Sequence, residues 1–196
     1  MRVILLLLAL CSPAWPAQED IPDGASPDHR YKLVFAQNDP VEPQAYDLEI
    51  LNTETGQIIF SEGAGGFVSF DGANSPEQVK CLWSPSQKFV AVYKRGAKRD
   101  GDTSLYAPSP DSVQKVSLPD FAVLVQDEIP GELRAVYVRP ELWLPNHHLA
   151  LSVTGLSYAD RGGGDFRFIA ILKVTSVSHR WKATLLSFQR DETKRD

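Results

Sequence analysis

The segment Trp83-Ser84-Pro85-Ser86-Gln87-Lys88-Phe89-Val90-Ala91-Val92-Tyr93 decides the fold class of this chain. Proline fixes its own φ, and the polar residues after it favour a tight turn. The aromatic and β-branched residues that follow suit a pleated, half-buried surface. A turn that launches a strand is therefore expected, with Trp83 placed before it to fill a core between sheets.

The arrangement occurs twice more. Ser26-Pro27-Asp28-His29-Arg30-Tyr31-Lys32-Leu33-Val34-Phe35 precedes it, and Leu144-Pro145-Asn146-His147-His148-Leu149-Ala150-Leu151-Ser152-Val153 follows it. The prolines lie 58 and 60 residues apart, and Trp143 stands before the third turn as Trp83 stands before the second. Similarity at a fixed period points to a repeat architecture. Further along, Gly101-Asp102-Thr103-Ser104-Leu105-Tyr106 matches Gly164-Asp165-Phe166-Arg167-Phe168-Ile169 and, more loosely, Ala45-Tyr46-Asp47-Leu48-Glu49-Ile50. Gly-Asp after a polar loop closes a hairpin and starts a strand. Phe166, Phe168, Ala170, Leu172 and Val174 then share one strand face at period two.

These patterns predict an all-β fold in a single domain over 26–189, made of three antiparallel, propeller-like blade units. Its core is expected to include Phe35, Leu48, Ile50, Trp83, Val90, Val92, Trp143, Leu149, Leu151, Phe168 and Ile171. A short helix is expected over Ser75 to Val79, where Asn74-Ser75-Pro76-Glu77 looks like a cap with proline at the first helical position.

Trp83 to Val92, read as Trp-Ser-Pro-x-x-Lys-Phe-Val-Ala-Val, resembles the blade repeat of TolB-type and dipeptidyl-peptidase-type β-propellers. Asp47-Leu48-Glu49-Ile50-Leu51 with Thr55-Gly56 resembles the strand and turn that complete such a blade. The resemblance implies architecture only and carries over no functional residue. Two departures qualify it. His29, Gln87 and His147 stand where the blade turn has glycine, so a left-handed backbone there costs energy unless the turn type differs. Three units also fall short of the roughly 4 to 8 blades of a closed ring. The expected fold is an incomplete propeller, one half of a two-chain ring, or a β-sandwich reusing the blade hairpins.

The 196 residues suffice for one domain with a real core, and 43% hydrophobic with 23% charged residues is ordinary for a folded chain. Twenty basic against 25 acidic residues give a net charge of −5. That balance excludes the broad positive footprint of a general nucleic-acid binder and does not suit an anionic membrane surface. Met1-Arg2, the apolar run Val3 to Leu10, and the small or helix-breaking residues Ser12 to Ala17 read as a secretory signal over 1–17. Cleavage is expected after Ala14 or Ala17, with Ser12 favouring Ala14. The run is shorter than the about 20 apolar residues of a membrane-spanning helix, and no later segment qualifies. Cys11 raises the alternative of a lipid anchor, although Leu10 is larger than the residue such a signal places before its cysteine. Residues 18–25 are expected as a flexible linker and 190–196 as a frayed tail. Cys81, the single thiol of the cleaved chain, is expected as a small buried hydrophobe.

The chemical candidates are weak. His147-His148, with His29 at an equivalent turn, lack the further ligands of a metal set and read as solvated turns. Asp160-Arg161-Gly162-Gly163-Gly164-Asp165 lacks the alternating oxygens and closing glutamate of a calcium loop. Gly63-Ala64-Gly65-Gly66 lacks the lysine and helix start of a phosphate cradle. Ser84 has no nucleophile setting, and Asp127-Glu128, read on a strand, would point to opposite faces. Lys94, Arg95, Lys98 and Arg99 form a local positive cluster that reads as a solvated charged loop, with a docking surface for an acidic partner or a polyanionic envelope component as the sharper alternative. No residue is assigned a catalytic, cofactor-binding or metal-binding role, and no cofactor is expected. The expectation is a secreted or periplasmic, non-enzymatic binding or scaffold protein, with a protein partner or self-association through sheet edges. The alternative is a hydrolase of envelope polymers whose site is built from loops.

Overall fold

Turn chemistry and two-residue alternation generate twelve strands among the described residues of the computed structural model, which are 18–37, 46–63, 79–95, 100–158 and 164–191. The first sheet is an antiparallel meander of β1 (Gln18–Ala25), β2 (Tyr31–Gln37), β3 (Tyr46–Asn52) and β4 (Gln57–Gly63). The second sheet contains two such meanders. One is β5 (Val79–Trp83), β6 (Val90–Arg95), β7 (Asp100–Ser109) and β8 (Ser112–Val116). The other is β9 (Glu132–Leu144), β10 (His148–Tyr158), β11 (Asp165–Val177) and β12 (Arg180–Arg190). A short parallel contact, Asp100 with Val136 and Gly101 with Tyr137, joins β7 to β9. The fold is all-β and almost wholly antiparallel, and neither sheet closes into a barrel among the described residues.

Two apolar clusters hold the meanders face to face. Tyr31, Leu33, Phe35, Leu48 and Ile50 of the first pack against Val79, Cys81, Val90, Val92 and Tyr106 of the second. On the opposite face of the second meander, Phe89, Ala91, Leu105 and Val116 pack against Leu149, Leu151, Val153, Phe168 and Leu172 of the third. Strand β6 is therefore buried on both sides, which is why Phe89-Val90-Ala91-Val92 runs apolar without alternation. Cys81 is a buried free thiol, and burial pushes its pKa up to about 12.

The first two turns share one hydrogen-bond pattern. Ser26 N–H donates to Tyr31 O, His29 N–H to Ser26 O, and Tyr31 N–H to Ser26 Oγ. Ser84, Gln87 and Phe89 repeat these bonds residue for residue. His29 and Gln87 take positive φ, 58° and 60°, at the position where glycine is expected. The third turn is different: Asn146 and His147 both have positive φ, and Leu144 pairs directly with His148. Trp83 pairs with Val90, seven residues on, whereas Trp143 pairs with Leu149, six residues on. A one-residue slip reverses the faces of a strand. It turns Leu149, Leu151 and Val153 toward the second meander, and Leu144 has no hydroxyl with which to make the serine bond.

Between β8 and β9 lies helix α1 (Phe121–Glu128), which the sequence reading did not anticipate. Asp120 caps it by accepting from Ala122 N and Val123 N at 3.0 and 3.2 Å. Phe121, Val125 and Ile129 anchor it in the second cluster. Asp127 and Glu128, read as strand residues, are exposed at its last turn.

Other expectations are corrected here. Residues 18–25, expected as linker, form β1, whose Glu19 and Asp20 pair with Phe35 and Val34. Apolar Ile21 gives that strand its anchor in the first cluster. Residues 190 and 191 do not fray: Arg190 ends β12, and Asp191 bonds Arg167 through its backbone and its carboxylate, the latter at 2.9 Å. Ile171 is only half-buried, because it lies on the face of β11 opposite Phe168 and Leu172. Trp83 and Trp143 are also half-buried, at the rims of the clusters. Val79 opens β5 rather than closing a helix, and the rest of the expected helix, 75–78, lies outside the described residues.

Candidate functional site

The outer strands of the second and third meanders meet at the side chain of Gln114 on β8. Its Nε2 donates to Trp181 O at 2.8 Å, and its Oε1 accepts from Trp181 N at 2.9 Å. A side-chain amide thus takes the place of a neighbouring strand and satisfies both outward backbone groups of Trp181. The Trp181 ring meets Phe89 edge to face at 4.8 Å, and Trp143 stacks on the same Phe89 at 5.7 Å. The Trp181 end of β12 is in this way fixed from two sides.

Beside this clamp runs a groove of about 640 Å³, lined by Gln114, Lys115, Ser117, Val177, Arg180, Trp181 and Lys182. The tight β11–β12 turn, with Ser178 and His179 both at positive φ, brings Arg180 to its mouth. Arg180 and Lys182 are exposed and form no ion pair among the described residues. Three cations thus line one groove of a net acidic chain.

Lys115 also belongs to a second charged cluster. Glu62 on β4 bonds Lys94, Tyr106 Oη at 2.6 Å and Lys115 Nζ at 2.9 Å. Burial opposes ionisation of Glu62, but these three donors outweigh it and bring the carboxyl from its ordinary 4.5 to about 2. The cluster joins the first meander to the second. Lys94, part of the expected positive docking cluster, is instead bound to Glu62 in this junction; Lys98 and Arg99 lie outside the described residues.

A smaller groove of about 370 Å³ separates the second and third turns, between Pro85, Ser86, Trp143 and His147. Ser86 Oγ lies 3.4 Å from His147 Nδ1 and 3.2 Å from Ser84 Oγ. A nucleophile pair needs a group that orients the imidazole; the His147 ring instead packs edge to face with Phe89 at 5.5 Å, a neighbour that cannot take its proton. The pair belongs to a turn-to-turn contact. With its amide oriented to donate, Gln87 reaches Asp28 Oδ1 at 3.1 Å across the first two turns in the same way.

The structure separates the remaining sequence candidates. His29 is exposed in the first turn, while His147 and His148 are half-buried at the third. Among the described residues no group of three or more His, Cys, Asp or Glu is placed to hold a metal ion. Ser84 Oγ is occupied by Phe89 N–H, as the turn reading requires. Residues 64–66 and 159–163 of the glycine-rich loops lie outside the described residues. Sequence reasoning missed the groove, although Arg180-Trp181-Lys182 opens a strand that carries three cations and no acid. Among the described residues no helix is long and apolar enough to cross a membrane. Compared with family models, curated proteins and solved structures, the chain gives no match in any of the three.

Proposed function

We propose that this chain is an exported, non-enzymatic binding or scaffold protein that presents a preformed cationic groove on a propeller-like stack of antiparallel meanders. The groove carries the reading. Gln114 clamps the Trp181 backbone and Phe89 braces its ring, so the lining is ordered before any ligand arrives. Preorganisation of this kind lowers the entropic cost of binding. Export rests on the N-terminal run Met1 to Ala17. The propeller-like stack is supported by contacts that recur between successive meanders. Trp83 Nε1 donates to Gly24 O and Trp143 Nε1 to Leu82 O, each carbonyl two residues before a turn. Tyr31 stacks on Trp83 and Phe89 on Trp143, each ring five residues after the opening residue of its turn.

The test expresses the chain from Met1 in a secreting host, sequences the exported N-terminus, and titrates the product with soluble charged polymers. A start at Trp15 or Gln18, with ligand-induced stabilisation and no shortening of the polymer, is expected. Retention with Met1 intact would overturn export, and release of new polymer ends would overturn the non-enzymatic reading in favour of a hydrolase.

A further inference from the structure

Exposed apolar side chains concentrate on one meander. Among the described residues seven large ones are exposed, and five of them, Leu142, Leu156, Tyr158, Val177 and Leu186, belong to β9–β12. Strand alternation puts these on the far face, turned away from the second meander. Leu142 pairs with Ala150, and Leu156 and Tyr158 share the parity of Ala150, against core-facing Leu149, Leu151 and Val153. Val177 and Leu186 lie at odd offsets from core-facing Val174 and Leu185. Charge divides along the stack as well. Strands β1–β4 hold six acidic residues and one basic, whereas β9–β12 hold seven basic and three acidic. The whole-chain balance that speaks against an anionic surface averages over this division. On the far face Lys173, Arg180 and Lys182 are exposed and form no ion pair among the described residues.

Exposed apolar side chains of this kind mark contacts with proteins or membranes, and the relief of the face separates the two. A protein interface gathers its apolar side chains in a desolvated centre and puts charge at the rim. Here the centre is recessed. The inner strands present Ala150 and Ser152, 6% and 3% exposed, and half-buried Ile169 and Ile171. The protruding side chains stand at the margins, Leu142 on β9, Leu186 on β12 and Val177 at the β11–β12 turn. Lys173 and Lys182 lie between Val177 and Leu186 along the hairpin. A rigid partner would have to meet each margin separately. A bilayer takes up apolar side chains singly at the headgroup boundary, while its anionic headgroups meet the cations. Glu132 and Asp165 pair with Tyr158 and Leu156, so the Val177 end is the one that approaches such a surface.

We propose that the far face of the third meander adsorbs to an anionic phospholipid surface. Leu142, Val177 and Leu186 enter the headgroup region, and Lys173, Arg180 and Lys182 pair with the headgroups. This surface is additional to the groove and needs no ligand there.

The experiment is flotation of the signal-cleaved protein with vesicles of phosphatidylcholine alone or of equimolar phosphatidylcholine and phosphatidylglycerol. Binding to the anionic vesicles is expected, weakened by salt and at least about tenfold stronger than to phosphatidylcholine. Two variants leave the lining of the groove untouched. Lys173→Glu should weaken vesicle binding at least about tenfold, and Leu142→Ser with Leu186→Ser at least about threefold. Both change exposed side chains, so the melting temperature should hold. Should the reversed charge disturb the strand, Lys173→Gln gives the same comparison with a smaller loss. No binding to anionic vesicles, equal binding to both compositions, or indifference to both the charge and the leucine variants each overturns the proposal. So does a dimer that the leucine variant dissolves, because a second copy would then own the face. A soluble polyanion that stabilises the chain while vesicles do not bind would leave the groove reading standing and remove this one alone.

Discussion

At the scale of single residues, Glu62 is the clearest case of chemistry serving architecture. Its carboxylate sits at the junction of the first two meanders and is held ionised by Lys94, Tyr106 and Lys115. Its folded pKa, about 2, is below its ordinary 4.5, so the stability it contributes is fully present above pH 4.5. That stability is lost as pH falls from there through about 2, and amounts to about 3 kcal/mol at most. Thermal melts between pH 6 and 2 should show a steep fall in Tm for the native chain and a shallower one for Glu62→Gln. Parallel curves would remove Glu62 from the junction's energetics. A second residue-scale prediction concerns the left-handed turn positions. Glycine there relieves about 1 kcal/mol of backbone cost. His29→Gly should gain most of that, because the bonds at its position, His29 N–H to Ser26 O and Thr53 Oγ1 to His29 O, use its backbone. Gln87→Gly gives up the amide contact with Asp28 and should gain less. Urea midpoints for the two variants separate these cases.

At the scale of elements, the strand-launching turns and the period-two faces were legible because proline, serine and alternating apolar residues act locally. The apolar set of β11, Phe166 to Val174, lies on one buried face as the alternation required. Ile171 was misplaced in the core by its type, although parity put it on the other face. Strand β1 was hidden because Glu19, Asp20 and Pro22 look like linker, and only the pairing partner β2 reveals their register. Helix α1 carried a readable signal, Asp120 followed by Phe121 and Val125 four residues apart, but its short apolar run is equally compatible with a strand. The groove was invisible for a stronger reason: Gln114 and Trp181 are 67 residues apart. No local rule connects a glutamine on one edge strand to the backbone of another. Close backbone approach gives the element-scale prediction. A Cβ on Gly155 in β10 would lie 1.9 Å from Ala135 O and 2.6 Å from Phe166 Cζ. Gly155→Ala should therefore lower stability by about 3 kcal/mol, the upper end for overpacking, since backbone cannot yield as a side chain can. Gly63→Ala, whose added carbon would meet only Asp47 Oδ1 at 3.8 Å, should stay within about 0.5 kcal/mol. Chemical denaturation of the pair distinguishes crowding from a general intolerance of side chains in these strands.

At the scale of the whole molecule, the question is whether three meanders stop or continue. A stack that ended on an apolar face would recruit further units, in the manner of repeat proteins lacking caps. The slipped third turn works against that outcome. By turning Leu149, Leu151 and Val153 inward, it leaves Ala150, Ser152 and Thr154 on the far side, paired with Ile171, Ile169 and Arg167 of β11 and flanked by Arg139. The result is a mixed face, with half-buried isoleucines among hydroxyls and cations, rather than the unbroken apolar face of the second meander. The edges formed by β12, β1 and β8 are blunted as well. β12 carries Arg180, Lys182 and Arg190 and is bulged opposite Ile171 and Leu172, β1 contains Pro22 within a register shift, and β8 is five residues long. Charge, bulges, proline and brevity are the devices that keep sheet edges from pairing with other chains. The signal-cleaved protein should therefore scatter light as a monomer across micromolar to millimolar concentration. A dimer whose proportion rises with concentration would mean that the far face of the third meander, with exposed Leu142 and Leu156, is an interface. A six-unit ring made by two chains would then replace the open stack, and the groove at Trp181 would have to be read in the context of its neighbour.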